Sequence, residues 1–316
     1  MKQARISAVI PTYNRPHLLP DCVRSIVGQV EVGEILVVDD ASTCPAAGIW
    51  AEMEREAEKG GVALRWERLP QRQGAGAARN RGVALSRYPL VLFVDDDVRL
   101  APDFTARALP YLERGEADIV GGRVIVLAPG QGQEEARATS DARPGKVVNL
   151  FLITGDFGVG AGPARPVPYV SSVALWRKEL FARGVFFPPY PGNGYREETD
   201  ACLQALAQGA KIIFAPECVS FHLPPEEAKA PAGRARGGQW EKGRWHWYWW
   251  AVRNNHTFLD RHLPFLRSRL GVRWPRPVME LAFALRQTTV FLPPGTGAFL
   301  RRLYRGLLRW RGGRKQ

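Results

Sequence analysis

Four short runs rich in β-branched and apolar residues, Ile6 to Ile10, Ile35 to Val38, Val62 to Trp66 and Leu90 to Val94, are separated by amphipathic stretches at His17 to Val27, Ala46 to Glu58 and Gly74 to Ser86. Strands separated by helices of that length pair as parallel neighbours, so the alternation predicts an α/β fold, a mostly parallel sheet flanked by helices. Leu90 to Val94 is apolar without interruption, the pattern of a strand covered on both faces, and is expected at the centre.

The rhythm continues with a helix near Pro102 to Arg114 and a strand near Asp118 to Leu127. Ala128 to Pro168 is rich in Gly, Pro, Ala and Gln with little periodicity, and reads as a mobile loop. A segment from Tyr169 to Trp176, a short helix from Lys178, a helix from Glu197 to Gln208 and a strand from Lys211 to Ala215 complete a first domain over residues 1–222. Pro224 to Gly238 has the composition of a linker, and residues 223–316 read as a helical, basic carboxy-terminal extension. The cluster Trp245, Trp247, Tyr248, Trp249 and Trp250 is expected to pack on the first domain, because so many large rings are costly to expose. A last helix would carry Phe299, Leu300, Leu303, Leu307 and Leu308 on one side.

A net charge of +13 calls for an anionic partner: nucleic acid, an acidic membrane surface or a phosphorylated substrate. Arg301, Arg302, Arg305, Arg309, Arg311, Arg314 and Lys315 crowd the end of the chain with no acidic residue among them, which suits an anionic membrane. The four cysteines, Cys22, Cys44, Cys202 and Cys218, form no CxxC pair and read as buried thiols rather than a zinc site or disulfide framework. The first residues pass straight into a strand without a signal-peptide pattern, and the longest apolar candidate, Pro277 to Leu292, is broken by Glu280, Arg286 and Gln287. The expectation is a cytoplasmic protein that does not cross a membrane and sits peripherally at its inner face.

Acidic residues gather where the strands end. Asp95, Asp96 and Asp97 follow the central strand, at the carboxyl end where open α/β sheets bind ligands. Three adjacent carboxylates repel one another; either a hard divalent cation with phosphate oxygens neutralises them, or they form a helix N-cap with solvated neighbours. Asp39 and Asp40 end the strand Ile35 to Val38, where a carboxylate either accepts hydrogen bonds from a base or ribose or shapes a turn. The first strand ends in PTYNR, and at that rim Tyr13 offers an aromatic face and Arg15 a cation, both suited to a nucleotide.

PTYNR, VVDDAS, GAGAARNRG and FVDDDV, in this order and spacing, resemble the family 2 glycosyltransferases of the GT-A fold. YVSSVALWRKEL and YREETDACLQALAQGAKIIFAPECVSFH are similar to the family's acceptor-side half, so the resemblance covers about Ile6 to His222. It implies that Pro11, Tyr13 and Asp40 contact the base and ribose, with Thr12 and Asp39 as further candidates for binding the nucleotide, and that Asp95, Asp96 and Asp97 form a DXD-like site with Asp97 as the first metal ligand. Asp95 and His222 are further candidate ligands for Mn²⁺ or Mg²⁺. Arg79 would stand beside the donor or pack its helix on the sheet, with Asn80 and Gly82 structural. Glu198 occupies the position of the catalytic base, where the family usually has aspartate, and Glu197 and Asp200 are its substitutes; an acidic first turn complementing the helix dipole also accounts for all three. Ser172 stands where relatives often have asparagine, and Trp176 where they have arginine.

The implied reaction moves a sugar from a UDP-, GDP- or dTDP-linked donor to a hydroxyl of a saccharide or lipid-linked acceptor, by metal-dependent single displacement with inversion. A sugar nucleotidyltransferase would need a glycine-rich amino-terminal loop, absent here. A non-catalytic nucleic-acid- or nucleotide-binding protein would explain the charge and the tryptophans but leave the ordered acidic clusters without a purpose.

Overall fold

The computed structural model describes residues 5–43, 47–224 and 243–289. β1 (Ile6–Thr12), β2 (Val32–Asp39), β3 (Ala63–Arg68) and β4 (Leu90–Phe93) run parallel and are connected through α1 (Leu19–Val27), α2 (Ala47–Lys59) and α3 (Ala75–Leu85). The two-residue period of a strand sorts their side chains: Ile6, Ala8, Ile10, Leu90 and Leu92 enter the core on one face, and Val9, Val91 and Phe93 on the other. α1 covers the first face with Leu19, Cys22, Val23 and Ile26, one stripe at helical spacing. α3 covers the second so closely that a Cβ at Gly82 would lie 2.3 Å from Val9 Cγ1, so only glycine fits there.

Beyond β4 the chain forms β5 (Val98–Leu100), α4 (Phe104–Glu113), β6 (Ile119–Val126), α5 (Gln133–Asp141), β7 (Val148–Asn149), β8 (Thr154–Gly155), β9 (Arg165–Pro166), β10 (Ala174–Arg177), α6 (Glu179–Ala182), α7 (Glu197–Ala207) and β11 (Ile212–His222). The main sheet has the order β3-β2-β1-β4-β10-β6-β11-β5, with β9 beside β11. β10 is antiparallel to β4 and β6, and β5 is antiparallel to β11, so the sheet is mixed. β4 is interior, as its unbroken apolar run predicts. Phe93 meets Phe187, Trp176 and Phe181 edge-on, at ring separations of 5.0 to 6.0 Å. Burying a side chain of this size contributes about 3 kcal/mol.

Two expectations are corrected, and two strand boundaries are added. Residues 128–168 are not a bare loop: they hold α5 and three two-residue strands, and Val147, Phe151, Leu152, Ile153 and Val159 are buried. These apolar residues are anchored by contacts distant in sequence, which leave no local period. In the segment from Tyr169 to Trp176 the strand begins at Ala174 and runs to Arg177. The strand expected to stop at Ala215 runs on to His222 through a register shift between Ala215 and Val219, where Pro216 cannot donate to the ladder. β5, only three residues long, was hidden directly behind the aspartates.

The carboxy-terminal residues form α8 (Arg244–Leu270) and α9 (Arg276–Thr289), which pack on each other. Phe258, Leu259, Leu263, Met279 and Phe283 join the same core cluster as Phe93 and Trp176. The expectation that the tryptophans all pack inward fails. Trp247 is buried, but Trp245 is 76% and Trp249 60% exposed, because one helix cannot turn residues 245 to 250 to a single side. Pro225 to Gly238 of the expected linker and the last helix lie outside the described residues.

Candidate active site

The carboxyl ends of β1, β2 and β4 meet at one crevice, with Thr12 opposite Asp39 in register. Pro11 and Thr12 are buried, and the chain then turns through Asn14, whose φ of 55° is the left-handed conformation asparagine tolerates. Asn14 ties two loops: its N–H donates to Ser42 Oγ at 2.8 Å, and its Oδ1 accepts from the Thr43 N–H at 2.7 Å. Asn14 and Ser42 were not singled out from the sequence, although both lie within the recognised motifs. Tyr13 is half-buried at the rim, with the Arg72 guanidinium 4.0 Å above its ring.

Asp39 and Asp40 differ in environment. Asp39 is fully buried and spends Oδ1 on the Ser42 N–H at 2.9 Å and Oδ2 on Arg68 at 3.3 Å, so it builds the turn rather than facing a ligand. Asp40 accepts the N–H groups of Gln73 at 2.6 Å and Gly74 at 2.8 Å, fastening the loop ahead of α3 to the same rim. Burial raises the Asp40 pKa despite those hydrogen bonds.

The three aspartates after β4 also separate. Asp95 accepts from Arg79 Nη2 at 2.7 Å and from Ser172 Oγ at 2.5 Å; burial opposes its charge, but Arg79 and Ser172 together hold its pKa below the ordinary value. Asp96 is 1% exposed, held by Thr12 Oγ1 at 2.8 Å and by Arg15 at 2.7 Å, and burial pushes its pKa up to about 7. Asp97 meets Arg15 Nη1 at 2.6 Å through Oδ2, while its Oδ1 lies 3.5 Å from His222 Nε2. The extension of β11 brings His222 there, pairing it with Val98 of β5.

On the other side of the crevice, α7 opens with Glu197, Glu198 and Asp200. Arg79 is 2% exposed, and its Nη1 reaches Glu197 at 2.6 Å and Glu198 at 3.1 Å while Nη2 holds Asp95. Glu197 also accepts the Gly76 N–H at 3.1 Å. Burial raises the pKa of both glutamates, and the neighbouring charge of Glu198 raises Glu197 further, with Arg79 opposing in each case. The Glu198 side chain is 23% exposed against 5% for Glu197.

The structure therefore links Asp95, Arg79 and Glu198 in one network and Arg15, Asp97 and His222 in another, both starting from the turn after β4, and it gives several of the expected residues partners within the protein. Arg79 is buried between carboxylates, in keeping with the structural alternative expected for it. Asp96 is an anchor for β1, and Asp95, with a partner on each oxygen, holds Arg79 and Ser172. Asp200 accepts from Tyr190 Oη at 2.7 Å and lies 2.9 Å from His262 Nε2, joining α7 to α8 away from the crevice. Trp176, in place of the expected arginine, lies in the core against Phe93.

Among the described residues no group of three or more His, Cys, Asp or Glu side chains is arranged to hold a metal ion. Asp97 and His222 do offer one hard oxygen and one imidazole at a spacing of 3.5 Å, a donor pair that fits a divalent ion whose other ligands come from phosphate oxygens. A cavity of about 1040 Å³ opens beside Pro89, Leu90 and Lys178. It lies at the opposite end of β4 from the aspartates, where parallel sheets do not place their chemistry.

Residues 7–159 match the family model described as Glycosyl transferase family 2. A poly(ribitol-phosphate) beta-glucosyltransferase of Bacillus spizizenii is 32% identical over 123 residues, 38% of this chain and 19% of that protein. Among solved structures, the chain resembles the mannosyltransferase PcManGT from Pyrobaculum calidifontis in complex with GDP-Man and Mn²⁺, with a TM-score of 0.55, 19% identity and coverage of 99% of this chain and 82% of that one. It also resembles S. aureus TarS 1-349 in complex with UDP-GlcNAc, with a TM-score of 0.53, 17% identity and coverage of 91% and 80%. The family resemblance and the GT-A fold read from the sequence are borne out. The matches to the first three curated relatives span 19%, 39% and 52% of their length.

Proposed function

We propose, from the premise that residues 7–159 are a glycosyl transferase family 2 domain, that the chain transfers a sugar from a nucleotide-diphosphate sugar to an acceptor hydroxyl with inversion. The observation that carries this reading is that the turn after β4 bears both the Asp97–His222 pair and Asp95, which Arg79 ties to the Glu198 carboxylate. The donor's nucleoside would lie at the rim made by Tyr13 and Asp40, as a UDP, GDP or dTDP derivative. Its diphosphate would lie at Asp97 and His222, which would hold Mn²⁺ or Mg²⁺. Such an ion supplies Lewis-acid stabilisation of the leaving diphosphate.

Glu198 takes the proton from the acceptor hydroxyl as that oxygen bonds to the anomeric carbon and the bond from that carbon to the phosphate oxygen breaks. Arg79 keeps Glu198 aimed at the crevice, and Glu197, the more deeply buried, braces α7 through Gly76. The acceptor is a saccharide or a lipid-linked saccharide. The chain acts in the cytoplasm at the inner face of the membrane, and among the described residues no helix is long and apolar enough to cross it.

Calorimetric titration with nucleoside diphosphates and nucleotide sugars, in Mn²⁺ or Mg²⁺ and then in chelator, tests the donor half of this reading. Metal-dependent binding of one diphosphate, abolished in Asp97→Ala, is expected. A folded protein that binds none of them would overturn it.

A further inference from the structure

The chain's charge is divided unevenly. Residues 1–224 carry 25 Lys and Arg against 26 Asp and Glu, whereas residues 225–316 carry 19 against 5. The whole basic excess therefore lies, along the sequence, beyond residues 1–224, which supply the side chains described at the crevice. Residues 243–289 alone carry 8 cations against 2 acids, Asp260 and Glu280. Both acids are engaged by Arg276, at 2.5 and 2.8 Å.

The same helices expose large apolar groups. On α8, Trp247, Ala251 and Phe258 enter the core, while Trp245 and Trp249 lie on the opposite side, 76% and 60% exposed. Arg253 and Arg267, both exposed, continue that side at helical spacing, and between them His256 and Asp260 on the same side reach Glu280 and Arg276 of α9. On α9, Met279, Ala282 and Phe283 are buried, while Leu281 is 61% and Val278 38% exposed. His256 and Glu280, 2.8 Å apart, hold the helices side by side.

We propose that the outward face of the α8–α9 hairpin seats on an anionic phospholipid bilayer. Trp245, Trp249, Val278 and Leu281 enter the headgroup region, and Arg253 and Arg267 meet lipid phosphates. Indole rings, aliphatic side chains and cations together are the composition of an interfacial helix, whereas a nucleic acid gives leucine and valine nothing to pack on. The seat is coupled to the chemistry. Asn193 Nδ2 donates to the Trp247 carbonyl at 3.0 Å, Arg196 donates to Asn255, and a Cβ at Gly192 would lie 2.1 Å from Trp250, so the hairpin grips the segment that leads directly into Glu197 and Glu198. Seating the hairpin orients the crevice toward an acceptor carried by a lipid; this rests on the acceptor half of the proposed function.

Sedimentation of the full chain with vesicles of phosphatidylcholine, alone or mixed with phosphatidylglycerol, tests the seat, with donor titration on the same preparations. The mixed vesicles are expected to bind the chain in a salt-sensitive way, and the triple substitution Trp245→Ser, Trp249→Ser, Leu281→Gln should weaken partitioning at least about tenfold while leaving donor binding intact. Partitioning unchanged in that variant, or lost only when Arg301, Arg302 and Arg305 are changed to Gln, would overturn the hairpin as the seat. So would a stable lipid-free dimer that the triple substitution dissociates. Absence of donor binding in the parent chain would instead count against the transferase reading and leave the vesicle result standing.

Discussion

Arg79 on α3 and Glu197 at the head of α7 lie 118 positions apart in the chain and are joined by a 2.6 Å charge-assisted hydrogen bond. The same guanidinium holds Asp95, so one buried cation fixes the tip of β4 relative to the acidic end of α7. The two halves of the crevice are positioned by this contact.

Arg79→Met should leave Asp95 and Glu197 as buried carboxylates without their counter-ion, and breaking such a pair costs about 3–5 kcal/mol. Denaturant unfolding reads the loss directly. Arg79→Lys should recover part of it, because an ammonium restores the charge but not the fork that reaches both acids. A stability equal to the parent's in Arg79→Met would mean that the network is not holding α7.

Glu198→Gln keeps the shape of the side chain and removes its basicity. Turnover should fall by about 10²–10⁴-fold with donor affinity unchanged, whereas Asp97→Ala should lose metal-dependent donor binding. Full turnover in Glu198→Gln would move the base elsewhere, with Glu197 next in line.

The pKa of Glu198 is raised by burial above its ordinary value of 4.5, against the pull of Arg79. A base works only when ionised, so activity should be lost as pH falls through a midpoint above 4.5. The midpoint belongs to the Glu197–Glu198 pair rather than to one residue. A kcat/KM profile measured over the acid range checks this, and a limb at or below the ordinary value would exclude Glu198 as the titrating base.

Gly82→Ala would place a Cβ 2.3 Å from Val9 Cγ1 in the interface between α3 and β1. Overpacking of this kind costs about 1–3 kcal/mol. Val9→Ala in the Gly82→Ala background should cost less than Val9→Ala alone, because the first change opens the space the second fills. A double-mutant cycle by thermal unfolding measures the difference, and strict additivity would mean that α3 shifts rather than clashes.

The parallel half of the sheet was legible because its signals are local. The short apolar runs Ile6 to Ile10 and Leu90 to Val94 and the amphipathic stretches between them are visible within short windows of the chain, and the acidic residues after Val38 and Val94 mark the strand ends. The second half was less legible for a physical reason. β10 is four residues long and is a strand only because it fits between β4 and β6, and β11 outlasts Pro216 because β5 and β6 hold it. Residues 128–168 show no period because their apolar side chains meet partners scattered along the chain.

The order of the motifs by itself determined the fold class, the end of the sheet that carries the chemistry, and the acidic residue types gathered there. Which carboxylate does what was decided only in three dimensions. Asp95, Asp96 and Asp97 are identical in chemistry and adjacent in sequence, yet one holds Arg79, one anchors Thr12 and one faces His222, because the end of β4 turns each toward a different neighbour. Burial and partner charge are properties of the packed molecule, and they separate groups that the sequence leaves alike.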